Sequence, residues 1–327
     1  MSVVGSEELD VVEPATIIAE AMHKLGVDAP EDKLLEAAKG VWRGIGSEWE
    51  FAALAVWGGA RLVQRVDSGQ WTPEATSKYK TPDLLVVVPT AAGNDVAFWV
   101  EVKTSRKEKI RVSERDFARM KAFQATTGLP SLMAYKHRGH IWSLREVETL
   151  HRAGTAYRLD LSDMYDNLMG VLLNDFAFAV REGTGLYIVL ERQDGRLAEE
   201  AGEATFTVVD AYFGDADGNR LDSHPWMLYA LLALDPVEKS DFSGSKVTMS
   251  FTSPGIERSA FGHNIFGVWA WLHHEQAGEI PWGAVLRRAQ HVPPASEVAH
   301  ELYARGFASH IIHQRPRNVS ETFKVFA

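Results

Sequence analysis

Two short apolar runs, each bordered by charged residues and separated by a turn-rich stretch, constrain the fold of this sequence most strongly. The first run, 84–88, directly follows Asp83, and the second, 98–103, contains Glu101 and Lys103. Because side chains alternate between the two faces of a strand, Glu101 and Lys103 are expected to point to the same side. The Gly, Asn and Asp residues between the runs predict a hairpin, which brings Asp83 beside Glu101 and Lys103.

These three charged side chains predict a metal-dependent hydrolytic site. Two carboxylates and an ammonium group on adjacent strands suit a divalent metal ion with a charged group beside an attacking water, an arrangement that supports phosphodiester hydrolysis. The strands around them are strongly apolar, so three charges at the end of such a sheet are costly unless they serve a function. The alternative is a surface hairpin in which Glu101 and Lys103 simply pair with each other.

The composition is that of a globular protein of about two domains. The chain has 327 residues, of which 46% are hydrophobic and 24% charged, as in ordinary globular domains. It contains no cysteine, so disulfides and thiolate metal sites are excluded. The sequence shows neither an apolar run long enough for a transmembrane helix nor the pattern of a signal peptide. We therefore expect a cytoplasmic protein that has no membrane partner.

The distribution of charge favours a nucleic-acid partner, although the net charge of the chain is −10. Residues 61–150 hold 15 Lys/Arg against 10 Asp/Glu, whereas residues 1–60 hold 4 against 11 and residues 151–327 hold 15 against 23. The one basic segment is therefore the segment that carries the three charged residues of the hairpin. A local basic surface supplies the attraction for phosphate that nucleic-acid binding requires.

Local signals predict the elements around the hairpin. A helix is expected to begin at Ser47, a suitable N-cap, and to end before Gly58 and Gly59. Another begins at the capping pattern 113–116 and ends at Gly128. The remaining predicted elements near the hairpin are two helices within 14–40 and strands at 61–66, 131–135 and 141–144.

The order of these motifs resembles a known family. They are Gly46–Glu48, Gly58–Gly59, Val100–Lys107, Val112–Asp116 and Gly128–Pro130. In this order the sequence resembles the PD-(D/E)xK nuclease superfamily and, within it, the archaeal Holliday junction resolvases, over about residues 43–147. The resemblance implies a restriction-endonuclease-like α/β core, a mixed central sheet flanked by helices, in a nuclease domain of residues 1–150. Residues 151–327 are expected to form an additional α+β domain that selects the substrate or a partner.

The resemblance also implies the roles of the site residues. Asp83 and Glu101 are expected to bind Mg²⁺, for which Mn²⁺ can substitute, and the carbonyl of Val102 completes the ligand set. Glu48 is expected to orient a metal-bound water or to contact the ion directly. Lys103 is expected to position the attacking water, to help deprotonate it, or to stabilise the charge that develops on the phosphate.

Glu48 has a competitor for its role two residues further along the same predicted helix. Glu50 lies on that helix as well, and residues two apart on a helix do not share a face. The family's spacing from the glutamate to the following glycines favours Glu48.

Basic residues on both sides of the hairpin are expected to contact the nucleic-acid backbone. Four of them follow the strand that carries the site, and two lie in the loop before Asp83. They are Arg106, Lys107, Lys109, Arg111, Lys78 and Lys80.

The sequence thus predicts a Mg²⁺-dependent DNA endonuclease, of a restriction or defence type or specific for a DNA structure. One alternative is a Holliday junction resolvase, and another is a non-catalytic nucleic-acid-binding or assembly protein on a nuclease fold. RNA stays open as a substrate. Because cutting both strands of a duplex requires two active sites, we expect a homodimer.

Overall fold

The computed structural model describes residues 45–66, 77–90, 93–105, 109–138, 141–160, 167–194, 205–256, 258–275, 279–313, 315–316 and 323. The helices predicted within 14–40 lie outside these residues. The described residues fold into two units. The first holds the residues up to Leu173 together with 274–292 and the described part of 315–327, and the second holds 174–273 and 293–314.

Helix α1 occupies residues 45–57 and is almost entirely apolar on its buried side. Phe51, Leu54 and Trp57 are each at most 3% exposed. Residue 45 is already helical, so the prediction that Ser47 caps the helix was wrong: Ser47 lies inside the helix. The predicted end is confirmed, since the helix stops before Gly58 and the left-handed conformation of Gly59, with φ 101°, turns the chain away.

A mixed five-stranded sheet forms the centre of the first unit, as predicted. Its strands in spatial order are β1 (Leu62–Arg65), β2 (Leu84–Pro89), β3 (Asp95–Ser105), β5 (Ser131–His137) and β6 (Ile141–Glu146). Strands β3 and β5 are parallel, and the other neighbours are antiparallel. The predicted hairpin is strands β2 and β3. Its register pairs Leu84 with Val100, which brings Asp83 level with the segment that carries Glu101.

The parallel pair β3–β5 is joined by strand β4 (Lys109–Ser113) and helix α2 (Glu114–Thr127). The predicted cap is confirmed, because the Ser113 hydroxyl accepts a hydrogen bond from the Asp116 N–H at 3.0 Å. The helix ends at Gly128, whose φ of 72° is left-handed. Its inner face packs into a buried cluster that also includes residues of β4, of β5 and of 147–159: Ile110, Val112, Met120, Met133, Tyr135, Val147, Leu150 and Leu159.

The first unit continues beyond residue 150, the boundary predicted from the sequence. A 3₁₀ turn (Val147–Thr149), strands β7 (His151–Ala153) and β8 (Ala156–Asp160), and the short helix α3 (Met169–Leu172) belong to it. Strand β8 pairs with β4 in a second, three-stranded sheet of order β4-β8-β7. This non-local pairing ties residues 151–160 to the site-bearing unit, so the division falls after Leu173 instead. Helix α6 (Trp282–Ala289) also belongs to the first unit.

The second unit is of the α+β type that the sequence predicts. A four-stranded antiparallel sheet has the order β11-β10-β13-β12, and a three-stranded sheet has the order β14-β9-β15. No helix in the described ranges is both long and apolar enough to cross a lipid bilayer. The elements of the second unit are β9 (Ala177–Ala179), β10 (Gly185–Arg192), β11 (Phe206–Gly214), α4 (Pro225–Ala233), β12 (Val237–Ser243), β13 (Lys246–Thr252), β14 (Ser259–Phe261), α5 (Gly262–His274), α7 (Ala295–Ala304) and β15 (His310–Ile312).

Gly58→Ala is expected to destabilise the first unit. A Cβ at Gly58 would lie 2.3 Å from the carbonyl oxygen of Leu173 and 2.8 Å from its Cβ, so the backbone would have to move. We expect a loss of about 1–3 kcal/mol in the free energy of unfolding, measured by chemical denaturation. The control is Gly46→Ala, since nothing lies within 4 Å of a Cβ there and alanine favours the helix. Equal stability of the two variants would contradict this account of the packing.

Candidate active site

The hairpin holds Asp83 against the backbone of the neighbouring strand. The Val102 N–H donates a hydrogen bond to Asp83 Oδ2 at 2.6 Å. The carbonyl of Asp83 in turn accepts from the N–H of Val66, at 2.9 Å. The first bond fixes the half-buried carboxylate beside strand β3, and the second fixes the backbone of Asp83 directly before strand β2.

Glu101 is a buried carboxylate bound by two lysines. Its side chain is 3% exposed, and Oε1 accepts from Lys80 Nζ at 2.6 Å and from Lys103 Nζ. Its second oxygen, Oε2, is buried without a hydrogen-bond partner among the described residues. The Lys103 side chain is 36% exposed, so part of it borders solvent while its ammonium group contacts Glu101.

The electrostatics of the site follow from burial and from like charges held together. Burial raises the pKa of Asp83 to about 7, and the negative charges of Glu101 and Glu48 contribute to this increase. For Lys103, burial alone would lower the pKa, but the charges of Glu101 and Asp83 outweigh it and raise the pKa above the ordinary value. Lys103 is therefore a cation at neutral pH in this arrangement.

The two glutamates of helix α1 have different surroundings. Glu48 is near enough to Asp83 for its charge to raise the pKa of that residue, and its Oε2 accepts from Arg65 Nε at 2.9 Å. Glu50 is instead held by Lys136 Nζ at 2.6 Å and by the indole N–H of Trp142 at 3.0 Å. The structure thus places Glu48 on the side of the candidate site and Glu50 in a buried ion pair away from it.

The residues present fit a Mg²⁺ site built from few protein ligands. Among the described residues, no group of three or more His, Cys, Asp or Glu side chains stands at metal-binding distance, so Glu48 does not join Asp83 and Glu101 in a three-carboxylate cluster. Mg²⁺ commonly takes only one or two carboxylates and keeps several waters. A cation would give a partner to the Glu101 oxygen that has none among the described residues, and it would offset the repulsion from Glu101 that, after burial, raises the pKa of Asp83.

The residues predicted to contact phosphate have different surroundings. Lys80 contacts Glu101 and so belongs to the site itself, whereas Lys78 is exposed and lies over the ring of Tyr79 at 5.1 Å. Lys109 and Arg111 are exposed on strand β4, on either side of the buried Ile110. Arg106 and Lys107 lie outside the described residues.

No residue spacing predicts the contact between Lys80 and Glu101. It depends on how the segment before Asp83 packs on helix α2: Arg119 donates to the carbonyl of Tyr79 at 2.8 Å, and the ring of Tyr79 meets that of Phe123 edge to face. Arg65, the partner of Glu48, was missed for the same reason, since its role follows from the pairing of β1 with β2.

Asp83→Asn is expected to stabilise the metal-free protein at alkaline pH. Because the pKa of Asp83 is raised on folding, its contribution to stability is fully present below about pH 4 and is lost as the pH rises through about 7. Asparagine is neutral throughout and keeps an oxygen that can accept from Val102. In EDTA, the variant should melt at a higher temperature than the wild type at pH 8, with a smaller difference at pH 5.

The control for this measurement is Asp217→Asn, in an exposed turn, which should leave both melting temperatures almost unchanged. A variant at Asp83 that is less stable than the wild type at pH 8 would contradict the electrostatic account.

Comparison with known proteins relates the region that contains Asp83, Glu101 and Lys103 to a family of nucleases. Residues 63–182 match the family model described as archaeal Holliday junction resolvase (Hjc); this segment contains Asp83, Glu101 and Lys103 but not Glu48. Among solved structures, Archaeoglobus fulgidus Hjc, a Holliday junction resolvase from an archaeal hyperthermophile, is 19% identical over 37% of this chain and 91% of its own, with a TM-score of 0.31. No curated protein matches the chain. The resemblance predicted from the motifs is therefore confirmed: residues 63–182 are similar to the archaeal Holliday junction resolvases, a family of the PD-(D/E)xK nuclease fold.

Proposed function

We propose that this chain is a Mg²⁺-dependent DNA endonuclease whose active site is formed by Asp83, Glu101 and Lys103, with Glu48 and Lys80 beside them. The observation that carries the proposal is a buried carboxylate, Glu101, beside the half-buried Asp83: one oxygen of Glu101 lacks a partner among the described residues, and two lysines contact its other oxygen. Burying charged side chains costs free energy, and such groups are concentrated at functional sites. The similarity of residues 63–182 to a nuclease family supports phosphodiester hydrolysis as the chemistry of this site.

Asp83 and Glu101, together with the backbone carbonyl of Val102, are the groups proposed to hold the cation. When bound, Mg²⁺ would polarise the scissile phosphate and make the attacking water more acidic. The protein's part is to keep the two carboxylates in a fixed position: the N–H of Val102 holds Asp83, and Lys80 and Lys103 hold Glu101. Mn²⁺, with the same preference for oxygen ligands, is the proposed substitute.

Lys103 is proposed to act as a cation. The raised pKa opposes the loss of its proton, which disfavours the role of general base. Its ammonium group, on a side chain that is 36% exposed, is suited to donating a hydrogen bond to the attacking water or to a phosphate oxygen, where negative charge develops during displacement. Lys80 donates to the same oxygen of Glu101 as Lys103 does, so we assign it to the active site.

Glu48 is proposed to orient the nucleophile. It is close enough to act on Asp83 electrostatically, and Arg65 fixes its carboxylate in place. Glu48 lies near Asp83 but does not form a three-carboxylate cluster with Asp83 and Glu101 among the described residues. This position suits a group that accepts a hydrogen bond from the attacking water.

The second candidate function is cleavage of four-way DNA junctions. The match of residues 63–182 to a resolvase model favours this function. Most of the second unit lies outside that match, and we propose that it restricts which substrates are cleaved. A cytoplasmic location, DNA in preference to RNA, and a homodimeric state remain predictions of the same proposal.

Lys103→Ala is expected to slow cleavage strongly without loss of DNA binding. The assay compares supercoiled plasmid, a four-way junction, linear duplex and single-stranded DNA and RNA, each in Mg²⁺ and in EDTA. Removing a group that stabilises the transition state lowers the rate by about 10²–10³-fold. The control is Lys246→Ala, an exposed lysine of the second unit, which should cleave like the wild type.

The substrates separate the candidate functions. Discrete duplex fragments that depend on Mg²⁺ indicate a sequence-specific nuclease, and cleavage of the junction alone indicates a resolvase. Binding of DNA with no cleavage of any substrate would contradict the proposal and leave a non-catalytic binding module.

Glu48→Gln and Glu50→Gln form a matched pair that separates a catalytic role from a structural one. Glu48→Gln should lower the cleavage rate and leave the melting temperature nearly unchanged. Glu50→Gln should lower the stability by roughly 3 kcal/mol, because it leaves the ammonium group of Lys136 without its carboxylate in a largely buried site. Loss of stability in the Glu48 variant, with the Glu50 variant unaffected, would reverse the assignment.

A further inference from the structure

Strand β12 is an exposed edge strand in the second unit. It is the last strand of the order β11-β10-β13-β12 and pairs along its whole length with β13. All seven of its residues, Val237–Ser243, are exposed. Within the described part of the chain, no strand pairs with its other side.

The free side of β12 presents backbone groups in a known pattern. Ser243 pairs with Lys246 across the two-residue turn Gly244–Ser245, and in an antiparallel hairpin with such a turn the closing pair is hydrogen-bonded. Because bonded and outward-facing residues alternate, Glu238, Ser240 and Phe242 direct their N–H and C=O groups away from β13. An edge of this kind is a template for another strand.

The sequence of β12 is self-complementary about its central residue. Ser240 is flanked by Lys239 and Asp241. When two copies of the strand pair antiparallel about a twofold axis through Ser240, Lys239 of each copy stands opposite Asp241 of the other, on the same face of the joined sheet. Two opposite-charge pairs thus form at once.

The surroundings of these two side chains leave the charges for an external partner. On β13, the residue opposite Lys239 is Ser250 and the residue opposite Asp241 is Thr248, and both are uncharged. Among the described residues, neither Lys239 nor Asp241 forms an ion pair within the chain. Phe242, at 49% exposed, would also lose solvent contact when a second strand covers this edge.

We propose that two copies of this chain associate through antiparallel pairing of their β12 strands, which joins two four-stranded sheets into one of eight strands. The strand carries two acidic residues, Glu238 and Asp241, against one Lys239, so its charge disfavours a nucleic-acid partner and its pattern favours a second copy. This inference rests on the second unit alone and stands independently of the nuclease function.

Charge reversal tests the proposed register. The full chain is prepared as wild type, Lys239→Asp, Asp241→Lys and the double variant, and its mass is measured by sedimentation from about 1 to about 100 µM. The wild type should dimerise in this range. Each single variant places like charges opposite each other twice, so the dissociation constant should rise by about tenfold or more.

Two further samples restore the complementary pairs. The double variant should dimerise like the wild type, and an equimolar mixture of the two single variants should form a mixed dimer, since an aspartate at 239 then faces a lysine at 241. Thermal melting of every sample shows whether the fold is kept.

Three results would overturn the proposal. They are a wild type that stays monomeric over the whole range, dimers that neither single variant weakens, and weakened dimers that neither the double variant nor the mixture restores. The first would mean that Lys239 and Asp241 serve to keep the edge from pairing.

Discussion

The register of the β2–β3 hairpin is the constraint on which the candidate site depends. Pairing Leu84 with Val100 puts Asp83 under the backbone N–H of Val102 and next to Glu101. A slip of one residue would turn Glu101 to the opposite face of the sheet. The apolar residues of both strands fix this register through burial, so the hydrophobic core of the first unit also determines the position of its charged groups.

Burial then sets the chemistry of those groups. Two carboxylates brought together in a largely enclosed place repel each other, and the protein offsets this in part with Lys80, Lys103 and the N–H of Val102. The offset is incomplete, because one oxygen of Glu101 lacks a partner among the described residues. A site that is well ordered yet electrostatically unsatisfied is suited to recruit a cation, and this links the fold to the proposed hydrolysis.

Elements with local signals were predictable from the sequence. The hairpin and helix α2, with Ser113 as its cap and Gly128 as its end, follow from patterns within a few residues. Non-local contacts have no such local pattern: the pairing of β4 with β8 places residues 156–160 in the first unit, and the packing of the segment before Asp83 on α2 brings Lys80 to Glu101. Ser47 is not the cap, because the helix already includes residue 45. A serine that suits the N-cap position does not show whether the helix extends further towards the N-terminus.

Asp83 and Glu101 are proposed to form a divalent-cation site, and the binding of a metal ion to the protein can be measured by itself. Calorimetric titration of Mn²⁺ into the full chain, compared with Glu101→Gln and with the exposed-site control Glu238→Gln, needs neither a substrate nor catalysis. One ion should bind per chain in the wild type and in the control, and Glu101→Gln should lose that binding. Equal Mn²⁺ binding by all three proteins, or no binding by the wild type, would contradict the proposed site.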